Sequence, residues 1–134
     1  MDIKELSIGN WVRYDFPEIG KRNIQVNSID EEDNHIGAGG VGASAWSDVS
    51  EFEPIPLTPE VLEKNGFEKN SECCWRNSAI ECTCLRYGTK YWDIRINGRN
   101  RAYRPTRISI DNILYTHQLQ NALRLAGVEK EIVL

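Results

Sequence analysis

Between residues 86 and 107 the chain reads RYGTKYWDIRINGRNRAYRPTR. Arg86, Lys90, Arg95, Arg99, Arg101, Arg104 and Arg107 stand there against one acid, Asp93, for a local charge of +6. The whole chain carries −4, so the remaining residues hold −10. Guanidinium groups clamp phosphates through paired N–H donors, and aromatic rings stack on bases. Tyr87, Tyr91 and Tyr103 are interleaved with the arginines. Such a surface suits nucleic acid or a protein partner. It equally suits a solvated outer sheet face, or one balanced by the acidic stretches DEED (30–33) and DVSEFE (48–53) of the same chain or a neighbouring copy. The register of the hairpin decides which side chains meet. A two-residue Asn97-Gly98 turn would pair Ile94 with Arg101. A three-residue loop of Ile96, Asn97 and Gly98 pairs Arg95 with Arg99, Asp93 with Arg101 and Tyr91 with Tyr103, and puts Trp92 opposite Ala102. The second sorts apolar from charged residues and is the expected register. Tyr91, Arg95, Arg99, Arg101 and Tyr103 are therefore the candidate nucleic-acid or partner-binding residues.

Other residue sets could do chemistry, and their spacing argues against it. Cys73, Cys74, Cys82 and Cys84 could gather four thiolates. A tetrahedral zinc site usually draws pairs from C-x₂₋₄-C spacing, which C-C and C-x-C do not supply. Consecutive strand residues point to opposite faces, so Cys73 and Cys74 diverge. Cys82 and Cys84 share a face with Ile80, where thiols pack as small hydrophobes. Buried thiols are the preferred reading; metal binding and a disulfide or redox role remain alternatives. His35 and His117 are the two histidines, and nothing in the spacing brings either to a cysteine. His117 opens a helix, whose positive end disfavours its protonation. No catalytic residue, metal ligand or cofactor is assigned.

Gly37, Gly39 and Gly42 match G-x-G-x-x-G within HIGAGGVGASAW. A dinucleotide loop of that form needs a helix immediately after it, because the pyrophosphate rests on the helix N-terminus. Here Ser44, Ser47 and Ser50 follow, then prolines at 54, 56 and 59, which no crossover helix accommodates. The acidic Asp30–Asp33 stretch would repel a phosphate. The glycines read instead as a bulged strand in a tight β-structure.

The elements that must position these residues follow from periodicity. Residues 1 to about 55 form short strands with turns, suggesting a small SH3-like barrel half. Thr58 is an N-cap and Pro59 a first helical residue; Gly66 ends a short helix over 59–65. Residues 71 to 110 read as antiparallel hairpins. Leu119, Ala122, Leu123 and Ala126 form the apolar stripe of a last helix that Gly127 stops, and EIVL closes the chain as an edge strand. The fold class is α+β: the barrel half over 1–55, then an α+β subdomain over 56–134. At 134 residues the chain can bury a core without staples. It shows neither a signal peptide nor the roughly 18 apolar residues of a membrane helix, which points to the cytoplasm and to reduced thiols.

Three stretches, IGNWV (8–12), EPIPLTPEVLEKNGF (53–67) and THQLQNALRLAG (116–127), resemble a family of small proteins encoded in gut Bacteroidetes genomes and their phages or mobile elements. The cysteine-rich middle departs from that pattern. The resemblance implies a bacterial cytoplasm and mobile-element biology, and it carries over no catalytic or binding residue. The expected function is a non-enzymatic interaction or accessory module with an unknown protein partner. Nucleic-acid binding through the Arg/Tyr-rich face is the alternative, and a cysteine-dependent enzyme comes third.

Overall fold

A computed structural model describes residues 1–77, 80–84, 91–99 and 105–134, with the backbone alone at 80–84, 97–99, 105–109 and 111–112. It is α+β and divides into two compact units: Met1–Pro56 with Tyr115–Asn121, and Leu57–Leu114 with Ala122–Leu134.

The first unit is a five-stranded antiparallel half-barrel. Its strands are β1 (Trp11–Phe16), β2 (Gly20–Asp30), β3 (His35–Gly40), β4 (Ala43–Asp48) and β5 (Phe52–Pro54), in the order β4-β3-β2-β1-β5. The first four form a meander, and a 3-10 turn at Val49–Glu51 carries the chain back so that β5 pairs with β1. Alternation explains the core. Val12, Ile24, Val26, Ile36 and Ala38 are buried on the inner face with Ile3, Leu6, Val49 and Phe52. Each large side chain so buried contributes about 1.5–3 kcal/mol.

The glycine-rich stretch is a hairpin strand. Gly37 and Gly39 lie on β3, and Gly42, at φ +74°, takes the left-handed conformation in the turn to β4. The bulge falls on β2 rather than on the glycines. Val26 pairs with Ala38 and Ser28 with Gly37, which leaves Asn27 as the extra residue.

The N-terminal segment and the first part of the last helix, α2 (Thr116–Leu125), are joined by side-chain amides. Asn10 is fully buried; its Oδ1 accepts from the Ser7 N–H at 2.8 Å, and its Nδ2 donates to Asn121 Oδ1 at 2.9 Å. Asn121 Nδ2 donates to the Glu5 carbonyl at 2.7 Å. Gln120 Oε1 accepts from the Trp11 N–H at 2.9 Å, and its Nε2 donates to the Gly9 carbonyl at 3.1 Å. A strand start and a loop thereby satisfy backbone groups that no ladder reaches.

The second unit begins with α1 (Pro59–Lys64), where Thr58 Oγ1 accepts from the Val61 N–H and Gly66, at φ +82°, ends the helix. Its antiparallel sheet runs β10-β9-β8-β7-β6, comprising β6 (Glu68–Ser71), β7 (Cys74–Asn77), β8 (Ile80–Cys84), β9 (Trp92–Arg99) and β10 (Pro105–Ile113). Trp75 and Trp92 meet edge to face at 5.4 Å, and the Trp92 indole donates to the Leu57 carbonyl at 2.8 Å. Ile94, Ile96, Ile113, Leu62 and Phe67 are buried in this unit.

Two expectations need correction. EIVL forms no strand. Asn65 ties it down instead: its Oδ1 accepts from the Val133 N–H and its Nδ2 donates to the Val133 carbonyl, a side chain imitating one rung of a ladder. Cys73 lies in the turn before β7 rather than in a strand, so strand alternation does not govern it.

The buried amide pair yields a stability test. Asn121→Ala leaves the Asn10 amide and the Glu5 carbonyl without their partner, at an expected cost of about 1–3 kcal/mol. Urea unfolding of Asn10→Ala, Asn121→Ala and the double variant measures it; the two single costs should sum to more than the double.

Candidate functional site

The arginine-tyrosine set is only partly brought together. Tyr91, just before β9, and Arg95, within it, are exposed. Arg99 ends β9, with its backbone paired to Pro105. Arg101 and Tyr103 lie outside the described residues, as do Arg86, Tyr87, Lys90 and Arg104.

The expected register is not the one formed. β9 continues through Asn97 and Gly98, which pair with Arg107 and Thr106. Ile94 pairs with Ile110, Ile96 with Ile108 and Arg95 with Ser109, while Trp92 meets Ile113 beyond a register shift. Arg95 and Arg99 therefore do not pair with each other, and the expected pairings with Arg101, Ala102 and Tyr103 fall on residues outside those described. The reason is cross-strand packing. A turn at Asn97-Gly98 would end the ladder at Ile96, whereas the longer strand puts two isoleucine pairs in register.

The register also sets the arginines among acids. Glu68 pairs with Arg76, Arg76 with Glu81 and Glu81 with Arg95, so one row across β6–β9 alternates in sign. Opposite charges directly across a sheet attract, and like charges repel. This row is closer to a balanced outer face than to an uncompensated phosphate clamp. Cys73 and Cys74 are half-buried, and by register Cys82 pairs with Ile94 and Cys84 with Trp92. Among the described residues no group of three or more His, Cys, Asp or Glu could hold a metal ion.

The first unit presents a different surface, unforeseen in the sequence reading. On the outer side of β2–β4, register places Asp30, His35 and Asp48 in one row and Ser28, Gly37 and Trp46 in the next. Trp46 is 55% exposed although it is a sheet residue. Its ring reaches over Gly37; a Cβ there would collide with Ser28 Oγ and would lie 2.9 Å from Asn27 Oδ1 and 3.1 Å from Trp46 Cε3. Glycine is thus needed at 37 for close approach, and the indole covers it while leaving part of itself open. The His35 ring is 5.8 Å from that of Trp46, and its Nδ1 lies 2.6 Å from the Asp33 carbonyl, a distance that fixes the ring when Nδ1 carries the proton.

Carboxylates rim this pair. Asp48 is held below the usual carboxylate range, first by the Ser50 backbone N–H it accepts and then by the Ser50 side chain; His35 and Asn34 act in the same direction. Glu31, Glu32 and Asp33 are exposed in the β2–β3 turn. The first unit as a whole has eleven acidic and four basic side chains, a charge of −7. The sequence held the signal for this face. Counting back from a two-residue Val41-Gly42 turn puts Gly37 opposite Trp46.

His117 is the other unusual polar group. It is fully buried at the start of α2, stacked on Tyr115 at 5.8 Å, and neither ring nitrogen has a hydrogen-bond partner. Glu5 Oε2 is 3.7 Å from its Nε2. Burial lowers its pKa, and Glu5 only partly offsets this.

No family model, curated protein or solved structure matches the chain. Among the described residues no helix is long and apolar enough to cross a membrane.

His117 makes stability depend on pH. Its folded pKa lies below the unfolded value near 6.5, so below that pH the unfolded chain binds a proton that the native chain refuses. The contribution is complete at pH 7.5 and shrinks on acidification by up to about 1.4 kcal/mol per pH unit until the folded pKa is reached. Urea midpoints at pH 7.5 and 5.5 should separate more for wild type than for His117→Leu.

Proposed function

We propose that the protein is a non-enzymatic interaction module whose SH3-like half-barrel holds a protein partner on the outer face of β2–β4. The observation that carries this reading is Trp46, a large aromatic left half open on a sheet face and seated over Gly37 beside His35. Exposed aromatics of this kind supply large contact area at little entropic cost, which is why they concentrate in interfaces. The resemblance of residues 8–12, 53–67 and 116–127 to small phage and mobile-element proteins supports an accessory role in the bacterial cytoplasm.

The test compares wild type and Trp46→Ala, each immobilised after a thermal melt has shown that the variant folds. A protein retained from host extract by wild type, and binding again when purified, should lose at least tenfold in affinity for Trp46→Ala. Equal affinity for both would reject the face.

A second reading, nucleic-acid binding through the sheet of the second unit, is favoured by the exposure of Tyr91 and Arg95 on and beside β9. It requires oligonucleotide binding that weakens about tenfold or more between ~50 and ~200 mM salt and that Arg95→Glu reduces. Fluorescence anisotropy with labelled single and double strands decides it; the alternating charges around Arg95 predict weak binding.

A further inference from the structure

We propose that the Trp46 face recognises an arginine side chain within a basic segment of a protein partner. This rests on the reading of that face as the interaction site and names the chemistry of what it takes. The geometry supplies both halves of a guanidinium site. The first half is a flat aromatic surface. Trp46 covers Gly37 with one part of its ring and is 55% exposed, and His35 lies 5.8 Å away at a 37° tilt. A guanidinium stacks on such a surface more readily than an ammonium, being planar and weakly hydrated.

The second half is a set of carboxylates at the right reach. Asp48 is two residues from Trp46 on the same side of β4, about 7 Å along the strand. Asp30 flanks His35 from β2 as Asp48 does from β4. The Ser50 backbone N–H and side chain favour the charged form of Asp48. One Asp48 oxygen accepts from the Ser50 N–H at 2.9 Å, and Asn34 Nδ2 lies 3.5 Å from the other, a long contact that a guanidinium donor would outcompete. The exposed Glu31, Glu32 and Asp33 extend the negative field beyond the contact, so flanking basic residues of the partner add to attraction and to on-rate. An acidic or neutral apolar partner would desolvate these carboxylates without compensation. The complement of the face is therefore a cation with a planar head on a flexible stem, in a segment carrying several such charges.

The test uses a fluorescein-labelled peptide of alternating glycine and arginine, its lysine counterpart, and the full chain. Anisotropy at ~50 mM salt should show the arginine peptide binding at least threefold more tightly than the lysine peptide. Trp46→Ala should weaken the arginine peptide roughly tenfold, and Trp46→Phe less. The double variant Glu31→Lys, Glu32→Lys alters only exposed turn residues, so it tests the face independently of folding. It should weaken binding severalfold, and the loss should shrink as salt rises. Equal affinity for the two peptides, or no effect of either variant, overturns the proposal. If the peptides fail while capture of a purified partner still depends on Trp46, only the arginine chemistry falls. Sedimentation velocity adds one more arm. Self-association abolished by Trp46→Ala would assign the face to a second copy, whose own 86–107 stretch is arginine-rich, and would overturn the partner assignment.

Discussion

Asn10 has no contact with water, and the half-barrel rests on how its amide is satisfied. The side chain accepts from Ser7 and donates to Asn121, which in turn donates to Glu5, while Gln120 serves both Gly9 and Trp11. These bonds close loop backbone that cannot enter a sheet. They also fix the entry into β1, and β1 is the strand on which β2 and β5 both pair. Apolar burial on the inner face provides most of the stabilisation, since it is the dominant favourable term in folding. The amides specify which arrangement is stabilised, because each alternative leaves a buried polar atom unpaired.

The outer face shows a related dependence on a small absent group. Gly37 lacks a Cβ, Ser28 Oγ and Asn27 Oδ1 crowd that space, and the Trp46 indole lies close above it beside His35. A larger residue at 37 would collide first with Ser28 and Asn27 at the bulge and press on the Trp46 ring. One glycine thus couples the strand register, the bulge and the posture of the exposed aromatic. The carboxylates around it belong to a unit charged at −7, so the local and long-range fields have the same sign.

Much of the fold was legible from the residues. Thr58, Pro59 and Gly66 mark α1 because caps are local chemistry, and the Leu119, Ala122 and Leu123 stripe marks α2. Ile24 and Val26 reveal a buried face by alternation alone. The β9–β10 register was not legible. Asn97-Gly98 is a strong local turn signal, and it was overridden by the Ile94–Ile110 and Ile96–Ile108 pairs, which are decided only when both strands are present. EIVL has strand composition, yet a single asparagine 68 residues earlier captures it, a contact no window of sequence reveals. The candidate site divides the same way. The charge count singles out the arginines, whereas the pairing of Glu81 with Arg95 and Arg76, settled only when the strands come together, gives Arg95 an acidic neighbour. The Trp46 face is hidden in the sequence because Gly37 and Trp46, nine residues apart, meet only across the β3–β4 hairpin.

The half-barrel is discontinuous in the chain: its last members, Tyr115–Asn121, come after the whole of Leu57–Leu114. A ribosome emits β1 to β5 long before it emits Gln120 and Asn121. Through that interval Asn10, Gly9 and Trp11 lack the partners that hold them in the finished molecule. The nascent strands can pair, but these polar groups gain their partners only after Leu57–Leu114 has been made. A chain cut short within the second unit would carry β1 to β5 without the amide clasp that holds the entry into β1.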